Sequence, residues 1–419
     1  MDHHEVLVIG AGLAGLSCAV DLTRAGVDTV VLEKSDGAGG RVRTDRVDGM
    51  QFDRGFQLLN PAYPALDGFV DVAALALCPF DAGVVVARRG GRTVLADPRR
   101  SFRDIGSGLL GMTGTVRDKL RLARYVAATL PRGGRGVKAR PDMAYGEALD
   151  RAGIEGSLRT AVLEPFLAGG LAEDRQETSR VFVDLLLRTF ARGRPSLPRL
   201  GIRALPDQLA AHLPAGALRL STSVHRVDER SVHTDDGELT ARAVVVATDA
   251  GAAGELTGVS TPPMRGLTTY YHRVAVSPGQ RRLLHIDGDR RGPVVNSAVV
   301  SDVAPEYCRD GSLVASTVLG TDDGAETAGT VLRQLSAIYA ADTSQWELVS
   351  TYRVPHALPA MLPPLRLRQP VRLAETLFVA GDHRDTASSQ GAIVSGRRAA
   401  ASVLQTLGLS PNGGAARQD

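Results

Sequence analysis

Polarity along this chain changes period in a regular order. Val6 to Ile9 is an unbroken apolar run, Leu13, Leu16, Ala19, Val20 and Leu22 fall on one helical stripe, and Val30 to Leu32 is apolar again. Short apolar runs read as buried strands, and apolar positions three and four apart read as a helix facing a core. The first 33 residues therefore predict strand, helix, strand, with the helix closing at Gly26, a natural C-cap. The turn into the helix is Gly10-Ala11-Gly12-Leu13-Ala14-Gly15, and Glu33 follows Gly10 by 23 positions. Glycines there let backbone N–H groups approach a pyrophosphate at a helix N-terminus, and an acidic strand end accepts from ribose hydroxyls. A glycine turn alone is weak evidence, but with its strand, helix and acid in place it predicts an adenine dinucleotide site.

Further along, Ser223 to Val227 and Ser231 to Leu239 read as a hairpin with an Asp-Gly turn, and Ala243 to Thr248 as a buried strand returning to the same sheet. Leu377 to Asp382 reads as another buried strand ending in an acid. The stretch from about 61 to 199 reads as mostly helical, with Val116 to Leu130 amphipathic and basic. From about 263 to 364, Thr268 to Val276 and Ser312 to Leu319 alternate like strands, and Thr327 to Ala340 reads as a helix. The prediction is an α/β chain: a Rossmann-type domain from 1–60, 200–262 and 365–408, a second domain of mixed sheet plus helices from 61–199 and 263–364, and a disordered tail at 409–419.

Composition narrows the class. At 419 residues the chain exceeds the ~250–300 at which one core stops growing. A hydrophobic share of 43% and a charged share of 23% are ordinary globular values, and a net charge of +3 gives no argument for nucleic acid. Cys18, Cys78 and Cys308 lack the spacing of a disulfide framework or a metal site. With no leader before the first strand and no run of 18 apolar residues, the expectation is a cytoplasmic protein that does not span a membrane.

The segment after Glu33 bears on which dinucleotide is bound. Lys34 leads to Gly39-Gly40-Arg41, a flexible pair before an arginine able to clamp a pyrophosphate, and then to Asp53-Arg54-Gly55-Phe56-Gln57. Together with Ala380-Gly381-Asp382 and Gln390-Gly391-Ala392-Ile393-Val394-Ser395-Gly396, this order resembles the FAD motifs of the flavin-containing amine oxidase superfamily, which includes monoamine oxidases, protoporphyrinogen oxidases and phytoene and zeta-carotene desaturases. The resemblance implies that Gly10 to Gly15 hold the pyrophosphate, Glu33 the adenosine ribose, and Gly40 and Arg41 the phosphates or ribityl chain. It implies that Gly55, Phe56 and Gln57 pass beside the isoalloxazine, that backbone at Val224 meets the adenine, and that Gly381 and Asp382 serve the ribityl or pyrophosphate. The N–H groups of Gln390, Gly391 and Ala392 would face flavin N1 and C2=O, where a helix N-terminus favours the charge of the reduced flavin.

Amine oxidases of this group usually hold a lysine by flavin N5 on a substrate-domain strand. The region from Pro262 to Arg273 has none, and no lysine follows Lys138. Val295 to Pro305 and Tyr352 to Pro359 resemble segments of desaturases and porphyrinogen oxidases instead, and no cysteine after Cys308 is available to tether the flavin. The expected activity is dehydrogenation of a small, apolar molecule by hydride transfer to noncovalent FAD, with oxygen or a quinone as acceptor. Amine oxidation and a noncatalytic FAD-binding redox partner are the alternatives. Tyr352 and His356 are the candidate catalytic groups, Gln57, Tyr270 and Tyr271 the candidate walls; packing between Pro355 and Pro359 is the other fate open to His356. The helix at 116–130, with Leu109 to Met112 before it, either lies on a membrane surface or turns its apolar face to the core.

Overall fold

A computed structural model describes residues 3–96, 113–130, 133–279 and 281–409. The tail from 410 and the segment Leu109 to Met112 lie outside the described residues. In chain order the elements used below are β1 (His3–Ile9), α1 (Leu13–Arg24), β2 (Thr29–Leu32), β3 (Thr44–Val47), β4 (Met50–Asp53), β5 (Gly83–Arg88), β6 (Gly91–Ala96), α2 (Val116–Ala127), α3 (Glu164–Leu171), α4 (Arg180–Arg192), β7 (Leu218–Arg219), β8 (Val224–Val227), β9 (Ser231–Thr234) and β10 (Gly237–Val246). They continue with α5 (Ala250–Thr257), β11 (Met264–Val274), β12 (Leu284–Asp287), β13 (Val294–Val299), β14 (Ser312–Leu319), α6 (Ala325–Tyr339), β15 (Glu347–Pro359), β16 (Leu377–Val379) and α7 (Ser389–Thr406).

The first sheet runs β8-β9-β10-β1-β2-β7, with β16 also paired to β10. Its centre is parallel: Val6 to Ile9 pair with Thr29 to Leu32 on one side and Ala243 to Val246 on the other. Helices cover both faces of a parallel sheet, which is why these strands are apolar at every position rather than at alternate ones. Val6, Val8 and Val31 pack with Leu16 and Val20 of α1 and Val403 of α7, while Leu7, Ile9 and Val30 pack on the opposite side with Val244 and Val379. The Asp-Gly turn joins β9 to β10, and β10 runs unbroken from Gly237 into the parallel centre, so the expected hairpin and return strand are one three-stranded meander.

The second sheet runs β15-β11-β14-β13-β12-β5-β6, antiparallel except where β12 lies beside β5. Among the described residues of 61–199 helix outweighs strand, as expected, and strands β5 and β6 add to that expectation a hairpin it did not contain. Their β-branched run at Val84 to Val86 and the Arg89-Gly90 turn are a hairpin signal, and the hairpin extends the sheet assembled from residues beyond 263. Tyr270, Val314 and Val318 face α6; the alternate positions Tyr271 and Ala315, with Ala298 of β13, face Phe52 and Phe80.

Asp53, at the end of β4, ties these layers together. Its carboxylate accepts from Thr44 Oγ1 at 2.6 Å, Tyr307 OH at 2.7 Å and the Ile202 N–H at 2.9 Å, and its carbonyl accepts from Tyr271 OH at 2.8 Å. Burial pushes this carboxyl up to about 6 although the two side-chain bonds and the Ile202 N–H all favour its charged form.

Candidate functional site

A cavity of about 2660 Å³ is lined from both sheets and from α2, α3, α4 and α7. Sites for one small molecule are usually ~300–1,000 Å³, so the space accommodates a cofactor and a substrate together.

At one end the walls are mainly turns and helix starts. Gly10, Gly12, Leu13, Ala14, Glu33, Lys34, Gly40, Arg41, Gly55, Phe56, Gln57, Val224, Gly381, Asp382, Gln390 and Ala392 all line it. A Cβ added at Gly12 would meet no protein atom within 4 Å, so the missing side chain leaves the α1 N-terminus open to the cavity. Gly15 and Gly391 do not line it. A Cβ at Gly15 would stand 1.9 Å from the Gly10 carbonyl oxygen, and one at Gly391 would stand 2.0 Å from that of Thr386, so both permit close packing behind the wall.

The two glycine loops are held to each other: the Gly39 N–H donates to the Ala11 carbonyl at 2.8 Å. Glu33 sets their separation from the sheet, accepting from the Ala11 N–H at 2.7 Å and from both N–H and Oγ of Ser35. Arg41 donates to Asp382 Oδ1 at 2.8 Å and to the Ala357 carbonyl at 2.7 Å. Burial alone would weaken its hold on the proton, but the charge and hydrogen bond of Asp382 together with the charge of Asp249 outweigh it, and the guanidinium pKa is raised. Gln57 donates to the carbonyls of Arg41 and Arg54, and the Phe56 N–H donates to Thr269 Oγ1.

At the start of α7 the N-cap residue is Ser388, whose Oγ accepts from the Gly391 N–H at 3.1 Å, while the Ala392 N–H donates to the Ser388 carbonyl. Of the three N–H groups expected to face a ligand, two are thus engaged within the helix start, as the capping geometry requires. The Ser-Ser-Gln run was the available signal. His383, buried beside Gly381, has neither ring nitrogen bonded, and burial lowers its pKa to about 4.

Away from the glycine loops the walls are mainly apolar, with Lys119 of α2 and Arg188 and Arg192 of α4 also among them. Leu122, Ala123, Val126 and Leu130 come from α2 and the residues after it, Phe166 and Leu167 from α3, Leu186 and Phe190 from α4. Beside Gly55 stand Leu267 of β11 and Val354 of β15. No lysine lies on β11, but Lys119 and Lys138, two of the three lysines, reach the cavity wall from helical segments.

Tyr352 and His356 are not brought to the cavity. The Tyr352 hydroxyl donates to Asp45 Oδ2 at 2.9 Å, and burial with that bond pushes its pKa up to about 12. His356 has a side chain 57% exposed, 3.6 Å from Asp249. The pairing of β11 with β15 shifts between Arg265–Leu358 and Leu267–Val354, so β15 bulges at 355–357 and turns Ala357 inward and His356 outward. Tyr270 OH donates to the Asp322 carbonyl on the helix side of the sheet, and Tyr271 OH to Asp53, so Gln57 is the one expected wall residue at the cavity.

The model of a family described as flavin containing amine oxidoreductase matches residues 13–404. A Mycobacterium tuberculosis protein named as a flavin-containing monoamine oxidase, AofH, is 28% identical over 264 residues, 58% of this chain and 56% of that one. The chain thus matches just over half the length of this relative. Phytoene desaturase of Fusarium fujikuroi is 48% identical over 55 residues, 13% of this chain and 10% of the relative. A solved structure from Exiguobacterium sp. 255-15, named as a protoporphyrinogen oxidase, superposes with a TM-score of 0.73 over 97% of this chain and 99% of that one, at 18% identity. At that identity the likeness shows the fold alone.

Proposed function

The chain belongs to the flavin-containing amine oxidoreductase family, with FAD as its cofactor, and from that premise we propose that it dehydrogenates a small, largely apolar molecule at carbon. The observation that carries this reading is the apolar wall from α2, α3 and α4, which meets the glycine loops at Leu267 and Val354. Such a wall orients its occupant by shape and excludes water, and neither effect calls for a charged substrate.

The residues of the glycine end fit noncovalent FAD. The α1 N-terminus at Gly12 would take the pyrophosphate, Glu33 the adenosine ribose, and Arg41 with Asp382 the ribityl and phosphate region. Bound there, FAD supplies a hydride acceptor at flavin N5. Among the described residues lining the cavity there is no cysteine to tether it. Oxygen or a quinone would reoxidise the flavin.

A second reading has its own support. AofH is named as a monoamine oxidase, and Lys119 and Lys138 line the cavity. Anaerobic mixing of the FAD-loaded protein with three panels, amines, porphyrinogens and isoprenoids, decides between them. Bleaching of the flavin band by a porphyrinogen or isoprenoid, with primary amines and polyamines inert over seconds, is the expected result. Rapid bleaching by an amine with release of an aldehyde moves the protein to amine oxidation, and no bleaching by any panel favours a noncatalytic redox partner.

A further inference from the structure

One polar side chain in the apolar part of the cavity makes no hydrogen bond to the protein. Asn296 of β13 lines the cavity and is 5% exposed; its Oδ1 is sealed from the cavity without a partner, while its Nδ2 is not sealed and has no bond to a described residue. Buried amides are ordinarily satisfied, so an unsatisfied one at a ligand cavity calls for a reason.

Its surroundings are arranged around it. Asn296 pairs across the sheet with Thr317 of β14, and Thr317 with Thr269 of β11. Thr317 Oγ1 is also buried without a partner, whereas Thr269 Oγ1 accepts from the Phe56 N–H at 3.1 Å. A row of three polar residues thus crosses an otherwise apolar sheet face and ends at the Gly55–Gln57 turn. Above it, α3 presents Gly169: a Cβ there would stand 1.7 Å from Asn296 Nδ2, so the amide occupies space that any other residue would fill.

We propose that Asn296 is a specificity residue whose Nδ2–H donates to one uncharged acceptor, a carbonyl or hydroxyl oxygen, on an otherwise apolar substrate. The inference rests on the apolar-substrate reading and adds a polar handle to it. Oδ1 is sealed from the cavity, so the group acts as a donor through Nδ2, which serves either oxygen and discriminates against the matching hydrocarbon because that molecule would leave the N–H unpaired.

Acetophenone and ethylbenzene, alike in shape and differing by one carbonyl, are suitable probes. Binding to the FAD-loaded protein is read by perturbation of the flavin visible band and by calorimetry. Acetophenone should bind about tenfold more tightly than ethylbenzene, and Asn296→Leu should abolish or reverse that preference while FAD affinity is unchanged. Gly169→Ala, which keeps the amide but displaces it, should reduce the preference in the same direction. If both probes bind and their ratio is the same in the wild type and Asn296→Leu, the role of Asn296 is overturned and the apolar cavity stands. If neither probe binds the wild type, the apolar-substrate reading fails and this inference fails with it.

Discussion

The two ends of the cavity are built by opposite means. The glycine end consists largely of backbone: Gly12 exposes a helix start, Gly39 bonds to Ala11, and Glu33 and Ser388 use their side chains to fix nearby N–H groups. The apolar end consists of side chains on α2, α3 and α4, whose backbones are closed within their own helices. A backbone-built site tolerates almost no added atoms but is indifferent to most side chains nearby. A side-chain-built site keeps its fold through substitution and changes what it admits.

The sharpest break of that comparison is Gly15→Val against Gly12→Ala. The first drives a side chain into the Gly10 carbonyl, and soluble yellow protein should be lost altogether. The second meets only cavity, so the apoprotein should keep its unfolding midpoint while FAD affinity, measured by fluorescence on dilution, falls. Next in size, Glu33→Ala and Arg41→Ala should each weaken FAD about ten- to a hundredfold, since hydrogen bonds to charged groups contribute about 1.5–3 kcal/mol. Unchanged affinity in both would remove the glycine loops from the cofactor site.

A smaller effect is read by pH, and it belongs to both sheets, since His383 after β16 shares the shift of the two histidines of the second sheet. Burial lowers the pKa of His272 and His285 in the second sheet to about 4, below the unfolded value of about 6.5. The unfolded chain therefore binds more protons between those values, and the stability held above pH 6.5 is lost as pH falls towards 4. Asp53, with its pKa raised, opposes this by holding its proton more tightly when folded over roughly pH 6 to 4. Denaturant unfolding should show a net loss on acidification, and His285→Gln should flatten it by about 1–2 kcal/mol between pH 7 and 5. Smallest of all, Tyr352→Phe and His356→Ala should change the rate of flavin reduction by less than about twofold, because neither side chain reaches the cavity. A tenfold loss with either would restore it to the chemistry.

What was legible in the sequence follows the same division. A backbone site is written in contiguous residues, because the glycines, the strand before them and the acid after them must be neighbours in the chain. Gly10, Gly12 to Ala14, Glu33, Gly40, Arg41, Gly55 to Gln57, Asp382 and Gln390 all reach one cavity. The apolar site was not legible, because Leu267, Phe166, Phe190 and Asn296 become neighbours only through packing. His356 misled for a related reason: its strand neighbours do face inward, and the two-residue bulge that turns it out is a property of the pairing with β11. Strands β5 and β6 were missed because a hairpin signal carries no mark of the distant sheet it will join.

The crossing of α1 and α7 also has a consequence for synthesis. A Cβ at Gly396 would stand 2.0 Å from the Ala14 carbonyl oxygen, so the helix that opens the glycine site rests directly on an element 382 positions later in the chain (396 minus 14). At about 5–20 residues per second, tens of seconds separate translation of the two. The ribosome must therefore release β16 and α7 before the opening strand and helix gain their permanent cover, and until then Val8, Leu16 and Val20 lack their α7 contacts. A chain stalled near residue 360 would therefore carry every cofactor loop of its first half, already bonded to one another through Ala11, Glu33 and Gly39, but without Asp382 and the α7 start that complete the cavity wall.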